Sequence, residues 1–77
     1  MKISTATTPR RDHPKHCFIN GEDITDRCYE ADDEAGYALC YVIEERYENG
    51  SVRFKPDPDN PTEPLSERLT GEVRFEF

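Results

Sequence analysis

Residues 37–54 read YALCYVIEERYENGSVRF, an apolar-rich run that reverses at Asn49-Gly50 and returns in a short segment. Asn and Gly both tolerate the positive φ angles that a type I′ hairpin turn requires. A two-residue loop here pairs Tyr47 with Val52, so the pattern predicts a long strand, a tight turn and a returning strand. Because side chains alternate along a strand, one largely apolar face is expected to carry Tyr37, Leu39, Tyr41, Ile43, Glu45, Tyr47, Val52 and Phe54.

The first half of this run is apolar on its second face as well. Ala38, Cys40 and Val42 occupy the alternate positions. A strand that is apolar on both faces is typical of a strand covered on both faces. We therefore predict that residues 37–43 form the central strand of the fold.

Residues 15–28 contain a second hairpin pattern around Asn20-Gly21. The same turn chemistry pairs Ile19 with Glu22. Phe18 then points away from the interior, towards a surface that the N-terminal segment or a partner would cover. The side chains predicted to point inward are Cys17, Ile19, Ile24 and Cys28.

Residues 26–35 admit two interpretations. Thr25 could cap a helix that Gly36 would end. The acidic residues 32–34 would then lie at the negative end of the helix dipole, which is unfavourable. We therefore favour a strand followed by a turn over the helix.

The last third of the chain has two distinct patterns. Residues 56–64 contain four prolines in nine positions, which excludes an interior strand or helix and predicts an exposed, extended, semi-rigid loop. In residues 72–77, apolar and charged side chains alternate, which predicts a half-buried strand. The apolar face of this strand consists of Val73, Phe75 and Phe77.

Together these patterns predict an all-β fold, a small antiparallel meander of about five strands curled into a barrel or sandwich. Residues 1–14, rich in Ser, Thr, Pro and Arg, indicate a flexible basic tail. Residues 15–77 are expected to form a single small β domain, from which the proline-rich loop 56–64 projects.

Charge divides the chain unequally. The net charge of the 77 residues is −7. Residues 1–16 contain four basic residues and one acidic residue, whereas residues 17–77 contain six basic and sixteen acidic residues. An acidic body repels nucleic acid and anionic lipid and attracts basic protein surfaces.

The expected location is the cytoplasm. No apolar run approaches the roughly 18 residues of a membrane span, and no apolar segment near the N-terminus indicates a signal peptide. Three cysteines cannot all pair within one chain, so reduced thiols are the simplest interpretation.

Cofactor binding and catalysis receive little support. Zinc-type ligands occur at His13, His16, Cys17, Cys28 and Cys40. No Cys-x-x-Cys pair is present, and thiols packed as small hydrophobic groups explain the same cysteines.

The acids at 32–34 and at 57–60 do not match a calcium-binding loop. The histidines lie in or beside the tail, a poor place to hold a catalytic base, so we expect no enzyme activity, no cofactor and no direct nucleic-acid binding.

One part of the chain resembles a known group of proteins. The segment FINGEDITDRCYEAD at residues 18–32, with residues 36–38 and 69–73, is similar to small uncharacterised proteins encoded by bacteriophages and prophages. The resemblance covers under half of the chain. It implies a phage or prophage origin, with action inside the bacterial host cell, and it supplies no catalytic residues.

The sequence therefore points to a noncatalytic, acidic protein-interaction module. One version is an inhibitor that imitates the charge of nucleic acid on a basic nucleic-acid-binding protein. The predicted binding surface consists of Glu22, Asp23, Asp32, Asp33, Glu34, Glu44, Glu48, Glu72 and Glu76. An alternative is a small virion or assembly protein, monomeric or homodimeric when isolated, that self-associates through Phe18, Val73, Phe75 and Phe77. A zinc-binding domain is the second alternative.

Overall fold

The structure, a computed structural model, describes residues 1–77. It contains nine short strands and one turn of 3-10 helix, and every strand pairing is antiparallel. No helix in it has the length and hydropathy needed to span a membrane. The elements in chain order are β1 (Lys2–Ser4), the 3-10 helix (Arg10–Asp12), β2 (His16–Ile19), β3 (Glu22–Asp23), β4 (Cys28–Asp32), β5 (Tyr37–Tyr41), β6 (Ile43–Arg46), β7 (Val52–Phe54), β8 (Ser66–Thr70) and β9 (Val73–Glu76).

The strands form a four-stranded sheet in the order β1-β4-β5-β8, a three-stranded sheet in the order β3-β2-β9, and a separate hairpin of β6 and β7. The two larger sheets supply the core, in the manner of a sandwich, so the all-β prediction is confirmed. The predicted meander of about five strands is wrong in its connections. Strands β1 and β9 pair with β4 and β2, which lie far from them in the chain. Such long-range pairings leave no local sequence pattern.

The core is small and is drawn from both sheets. Its buried hydrophobic residues are Cys17, Ile19, Ile24, Ala31, Ala38, Cys40 and Val73. Leu69, Phe75 and the partly buried Cys28 pack against this group. Four of the seven buried side chains are alanine or cysteine, so little apolar area is available to stabilise the fold, as expected for a chain of this length.

Strand β5 lies in the interior of its sheet, between β4 and β8, as predicted for the central strand. The deep face of β5 carries Ala38 and Cys40, whereas Tyr37, Leu39 and Tyr41 are half-buried on the other face. Tyrosine prefers a position where its ring is covered and its hydroxyl meets a polar partner. The Tyr37 hydroxyl donates a hydrogen bond to Oε2 of Glu30 at 2.9 Å. The smaller side chains therefore occupy the centre of the sandwich.

The hairpin at Asn20-Gly21 is confirmed. Both residues have positive φ, 50° and 83°, and Ile19 pairs with Glu22. Phe18 lies on the outer face, as predicted.

The hairpin at Asn49-Gly50 has a different loop from the predicted one. Only Gly50 has positive φ. The N–H of Tyr47 donates to the carbonyl of Ser51 at 2.9 Å, and the N–H of Gly50 donates to the carbonyl of Tyr47 at 3.1 Å. This is a three-residue loop with a glycine bulge, and it shifts the register so that Val52 pairs with Arg46 instead of Tyr47.

The predicted long strand is also interrupted at Val42. The Val42 N–H donates to the carbonyl of Leu65 at 2.9 Å, and the Val42 carbonyl accepts from the N–H of Lys55 at 2.9 Å. These bonds separate β5 from β6. The segment after Val42 therefore pairs with β7 in a hairpin of its own.

Two further segments differ from the sequence expectations. The predicted tail, residues 1–14, includes strand β1, which adds an edge to the larger sheet, and buried Ser4. The proline-rich loop, residues 56–64, folds back on itself instead of extending. Pro56 and Pro64 form an isolated bridge, closed by backbone hydrogen bonds within the loop.

The choice of a strand and turn over a helix at residues 26–35 is correct. Strand β4 spans Cys28–Asp32, and a turn that includes Gly36 at φ 72° leads into β5. The N–H of Gly36 donates to the carbonyl of Asp32 at 2.9 Å and closes this turn.

Candidate interaction surface

The outer face of the three-stranded sheet is defined by the register of its strands. We name it the Phe18 face; it consists of His16, Phe18, Asp23, Arg74 and Glu76. Phe18 pairs with Asp23 on one side and with Arg74 on the other, and His16 pairs with Glu76. The guanidinium carbon of Arg74 lies 4.6 Å from the centre of the Phe18 ring. Phe18 is thus covered by a cation and flanked by two of the predicted acids.

Asp23 is held firmly at the edge of this face. Its carboxylate accepts hydrogen bonds from the Thr25 N–H, at 2.9 Å, and from the Thr25 hydroxyl. These bonds, the hydroxyl first, lower the pKa of Asp23 below its usual value. Nδ1 of His16 lies 3.4 Å from the same carboxylate. Asp23 therefore stays ionised but is partly committed to its own neighbours.

Asp32, Asp33 and Glu34 also serve local contacts. Oδ1 of Asp32 accepts from the N–H groups of Glu34 and Ala35 at 2.9 and 3.0 Å, and the bond from Ala35 is the main cause of a lowered pKa at Asp32. The amino group of Met1 lies 2.6 Å from Asp33 and 3.5 Å from Glu34. The three acids thus shape the turn before β5 and are partly neutralised there.

Glu22 and Glu44 line an open groove of about 560 Å³ beside the β6–β7 hairpin. The Arg27 side chain, only 12% exposed, donates to Oε1 of Glu67 at 2.8 Å and lies 3.7 Å from Glu22. Glu44 lies 3.4 Å from Arg53. The sequence analysis did not predict the ion pair between Arg27 and Glu67, because Glu67 approaches Arg27 only when β8 pairs with β5.

Glu48, Glu72 and Glu76 differ from the other six predicted residues. All three are exposed, and none has a cationic nitrogen within 4.0 Å or a side-chain hydrogen bond. Their charge is therefore available to another molecule. Further exposed acids without an ion pair, which the prediction omitted, are Asp12, Glu45, Asp59 and Glu63.

The predicted self-association residues do not form one surface. Val73 is buried in the core, and Phe75 is half-buried and packs against it. Phe18 lies on the opposite face of the same sheet. Phe77 is 62% exposed and lines a shallow groove together with Met1, which is 54% exposed. Of the four predicted residues, Phe77 is the one that presents a large apolar surface.

The zinc-type ligands are likewise divided. Cys17 faces the core, whereas His16 lies on the outer face near Asp23. Nε2 of His13 lies 2.9 Å from the carbonyl oxygen of Thr8. No group of three or more His, Cys, Asp or Glu side chains has an arrangement that could hold a metal ion.

The cysteines themselves lie together. Cys17 and Cys28 line a half-open pocket of about 80 Å³, which His13 also borders. Cys40 is fully buried beside Cys28 on the neighbouring strand.

The arrangement as a whole is an exposed set of carboxylates around a small sandwich, with one apolar groove and one buried group of thiols. Some of the acids stabilise turns or form ion pairs within the protein. The others are exposed without an ion pair and can bind another molecule. Comparison of the chain with models of protein families, with curated proteins and with solved structures found no match.

Proposed function

We propose that the chain is a noncatalytic module that binds a basic protein surface through unpaired carboxylates of the predicted surface, those of Glu48, Glu72 and Glu76. The observation that carries this proposal is the imbalance of charge. Of the sixteen acidic residues at positions 17–77, eight have no cationic nitrogen within 4.0 Å. Carboxylates without internal partners lose least when they exchange water for the cations of another protein.

The partner class that fits this charge is a basic nucleic-acid-binding protein of a bacterial host. Such a protein presents rows of Lys and Arg that otherwise neutralise phosphates. A surface with separated carboxylates can compete for those side chains and thereby act as an inhibitor. The phage or prophage origin implied by the sequence resemblance is consistent with this role in the host cytoplasm.

The test uses the immobilised full chain, a bacterial extract and elution with salt. We expect the captured proteins to be released as salt rises, because the screening length falls from about 10 Å at 0.1 M to about 3 Å at 1 M. Duplex DNA added at low salt should displace the same proteins. A captured protein that stays bound at 1 M salt and in the presence of DNA would contradict the proposal.

Two matched triple variants sharpen the result. The first, Glu48→Gln with Glu72→Gln and Glu76→Gln, removes predicted surface charges that have no ion pair. The control makes Asp12→Asn, Asp59→Asn and Glu63→Gln, which changes net charge equally at other unpaired acids. We expect the first variant to lose capture and the control to retain it. Equal losses would show that only net charge matters and would exclude the proposed surface.

A second candidate function is self-association, as in a small virion or assembly protein. The exposure of Phe77 beside Met1 favours it, since contiguous exposed apolar groups mark contact sites. Sedimentation of the wild type and of Phe77→Ser over a range of concentrations tests it. A wild type that remains monomeric at the highest concentration would exclude this candidate.

A further inference from the structure

The buried thiols include a pair on neighbouring strands. Cys28 of β4 and Cys40 of β5 are direct partners in the antiparallel ladder. The Cys28 N–H donates to the carbonyl of Ile24 at 2.9 Å, and the flanking bond runs from the Tyr41 N–H to the carbonyl of Arg27 at 2.8 Å. Cys28 and Cys40 therefore exchange no backbone hydrogen bond with each other.

This register suits a disulfide. Opposed residues that are not hydrogen-bonded to each other have Cα atoms about 4.5 Å apart, with their side chains on one face. Disulfides bridge Cα separations of about 4.4–6.8 Å. All three cysteines are free thiols in the structure. A bond between Cys28 and Cys40 would therefore join directly opposed residues, beside the register shift between Cys28 and Glu30.

Cys17, from the facing sheet, completes the group. Cys28 pairs with Cys40 across the sheet and borders the same pocket as Cys17. Contact with Cys28 lowers the pKa of Cys17, while contact with Cys17 raises the pKa of Cys28 to about 11. Contact with Cys28, followed by burial, raises the pKa of Cys40. The thiolate of the group is therefore concentrated on Cys17.

A route for a small reactant exists at the same thiols. The half-open pocket of about 80 Å³ is bordered by Cys17 and Cys28 and walled by Ile3, Tyr29 and Phe75. A cavity needs about 10–15 Å³, measured in this way, to hold one water molecule, so a molecule the size of hydrogen peroxide fits. Cys40, fully buried, does not border this pocket.

We propose that Cys17, Cys28 and Cys40 form an oxidation site for a hydroperoxide, with Cys17 as the thiol that reacts first and a Cys28–Cys40 disulfide as the product. The Cys17 thiolate attacks one peroxide oxygen, so that an S–O bond forms and the O–O bond breaks. The other oxygen leaves with a proton from solvent, as water or an alcohol. Cys17 is then a sulfenic acid, oxidised by two electrons.

Cys28 resolves this intermediate. Its sulfur attacks Sγ of Cys17, an S–S bond forms, and the S–O bond breaks to release water that carries the Cys28 proton. Cys40 then attacks Sγ of Cys28, forms the cross-strand disulfide and expels Cys17 as a thiolate, with the Cys40 proton passing to solvent. Exchange proceeds in this direction because the thiol of lowest pKa is the best leaving group. In total one peroxide is reduced and two thiols are oxidised.

The experiment treats the reduced full chain with equimolar hydrogen peroxide, blocks the remaining thiols with iodoacetamide and maps the products by mass spectrometry. The expected product has lost two hydrogen atoms, carries one blocked thiol at Cys17, and contains a peptide cross-linked between Cys28 and Cys40. The same treatment in concentrated urea should give a mixture of cross-links, because the selectivity depends on the fold. A wild-type product without an internal cross-link, or with chains joined to one another, would overturn the proposal.

Two variants test the order of the steps. Cys17→Ser should consume peroxide at least about tenfold more slowly, the factor in thiolate fraction that one pKa unit makes. Cys40→Ser should stop at a disulfide between Cys17 and Cys28. A Cys17→Ser protein that reacts as fast as the wild type would refute Cys17 as the first thiol. The wild-type cross-link map decides the identity of the disulfide even where a variant fails to fold.

Discussion

Asn20 and Gly71 are packed against each other where two turns of the molecule meet. Nδ2 of Asn20 donates to the carbonyl of Thr70 at 3.3 Å, and Oδ1 of Asn20 accepts from the N–H of Glu72 at 3.0 Å. A Cβ atom at Gly71 would overlap the Asn20 amide. The N–H of Gly71 also donates to the carbonyl of Gly36 at 3.0 Å. One glycine thus connects the turns that precede β3, β5 and β9.

Gly71→Ala is expected to destabilise the fold by about 3 kcal/mol. The φ angle of 149° disfavours any L side chain, and the added methyl would displace the Asn20 amide. The matched control is Gly21→Ala, with φ of 83° and open space around the Cβ position. We expect about 1 kcal/mol for the control, from the conformational cost alone. Urea unfolding measures both values, and equal losses would contradict the assigned overlap.

A double-mutant cycle can separate the two causes at Gly71. Asn20→Gly removes the amide while keeping a residue that accepts the φ of 50° at position 20. In that background Gly71→Ala should cost about 1–2 kcal/mol less than in the wild type, because no amide remains to be displaced. A cost that does not change with the background would assign the whole effect to the backbone angle.

The two Asn-Gly dipeptides show what local sequence determines and what it leaves open. At the first, the side chain of Asn20 is held by Thr70 and Glu72, and both turn residues have positive φ. At the second, Oδ1 of Asn49 accepts from the N–H and the hydroxyl of Ser51, at 3.1 and 2.7 Å. Asn49 therefore keeps negative φ within a three-residue loop. The first turn is thus held by residues 50 and 52 positions away in the chain, whereas the second is set by a contact with Ser51, only two positions away.

The acidic character of the candidate surface was predictable from the sequence, but the ion pairs that its acids form were not. The excess of acids follows from the sequence, but the pairing of Arg27 with Glu67 follows from a strand pairing forty residues away in the chain. The apolar face of residues 72–77 was predicted correctly as a half-buried strand. The prediction that this face mediates self-association is wrong for Val73, because β9 pairs with β2 and Val73 points into the core.

Ala38→Leu is expected to destabilise the protein by about 1–3 kcal/mol. Ala38 is fully buried and pairs with Ala31 on β4, where the two sheets approach each other. A leucine adds three carbons at a fully buried position, so it must force the sheets apart or adopt a strained rotamer. Ala35→Leu, at an exposed turn position, is the control and should change stability by less than about 0.5 kcal/mol. Thermal and urea unfolding of both variants provide the measurement, and a neutral Ala38→Leu would show that the sandwich is not closely packed there.

The stability of the protein should fall in acid through Asp23 and Asp32. Hydrogen bonds from Thr25 and from Ala35 hold the pKa values of these carboxyls below the ordinary value of 3.8. Above about pH 3.8 both residues are ionised whether the chain is folded or unfolded, and their full contribution is present. As the pH falls below that value, the unfolded chain takes up protons first, so the free energy of unfolding decreases until the folded carboxyls are protonated as well.

Asp23→Asn with Asp32→Asn keeps an oxygen acceptor at each site but removes both titrations. We expect this variant to lose less stability than the wild type between pH 4 and pH 2. Asp59→Asn, at a side chain without a hydrogen bond or ion pair, should follow the wild-type curve. Parallel curves for all three proteins in urea unfolding across this range would rule out these two aspartates as the source of the acid sensitivity.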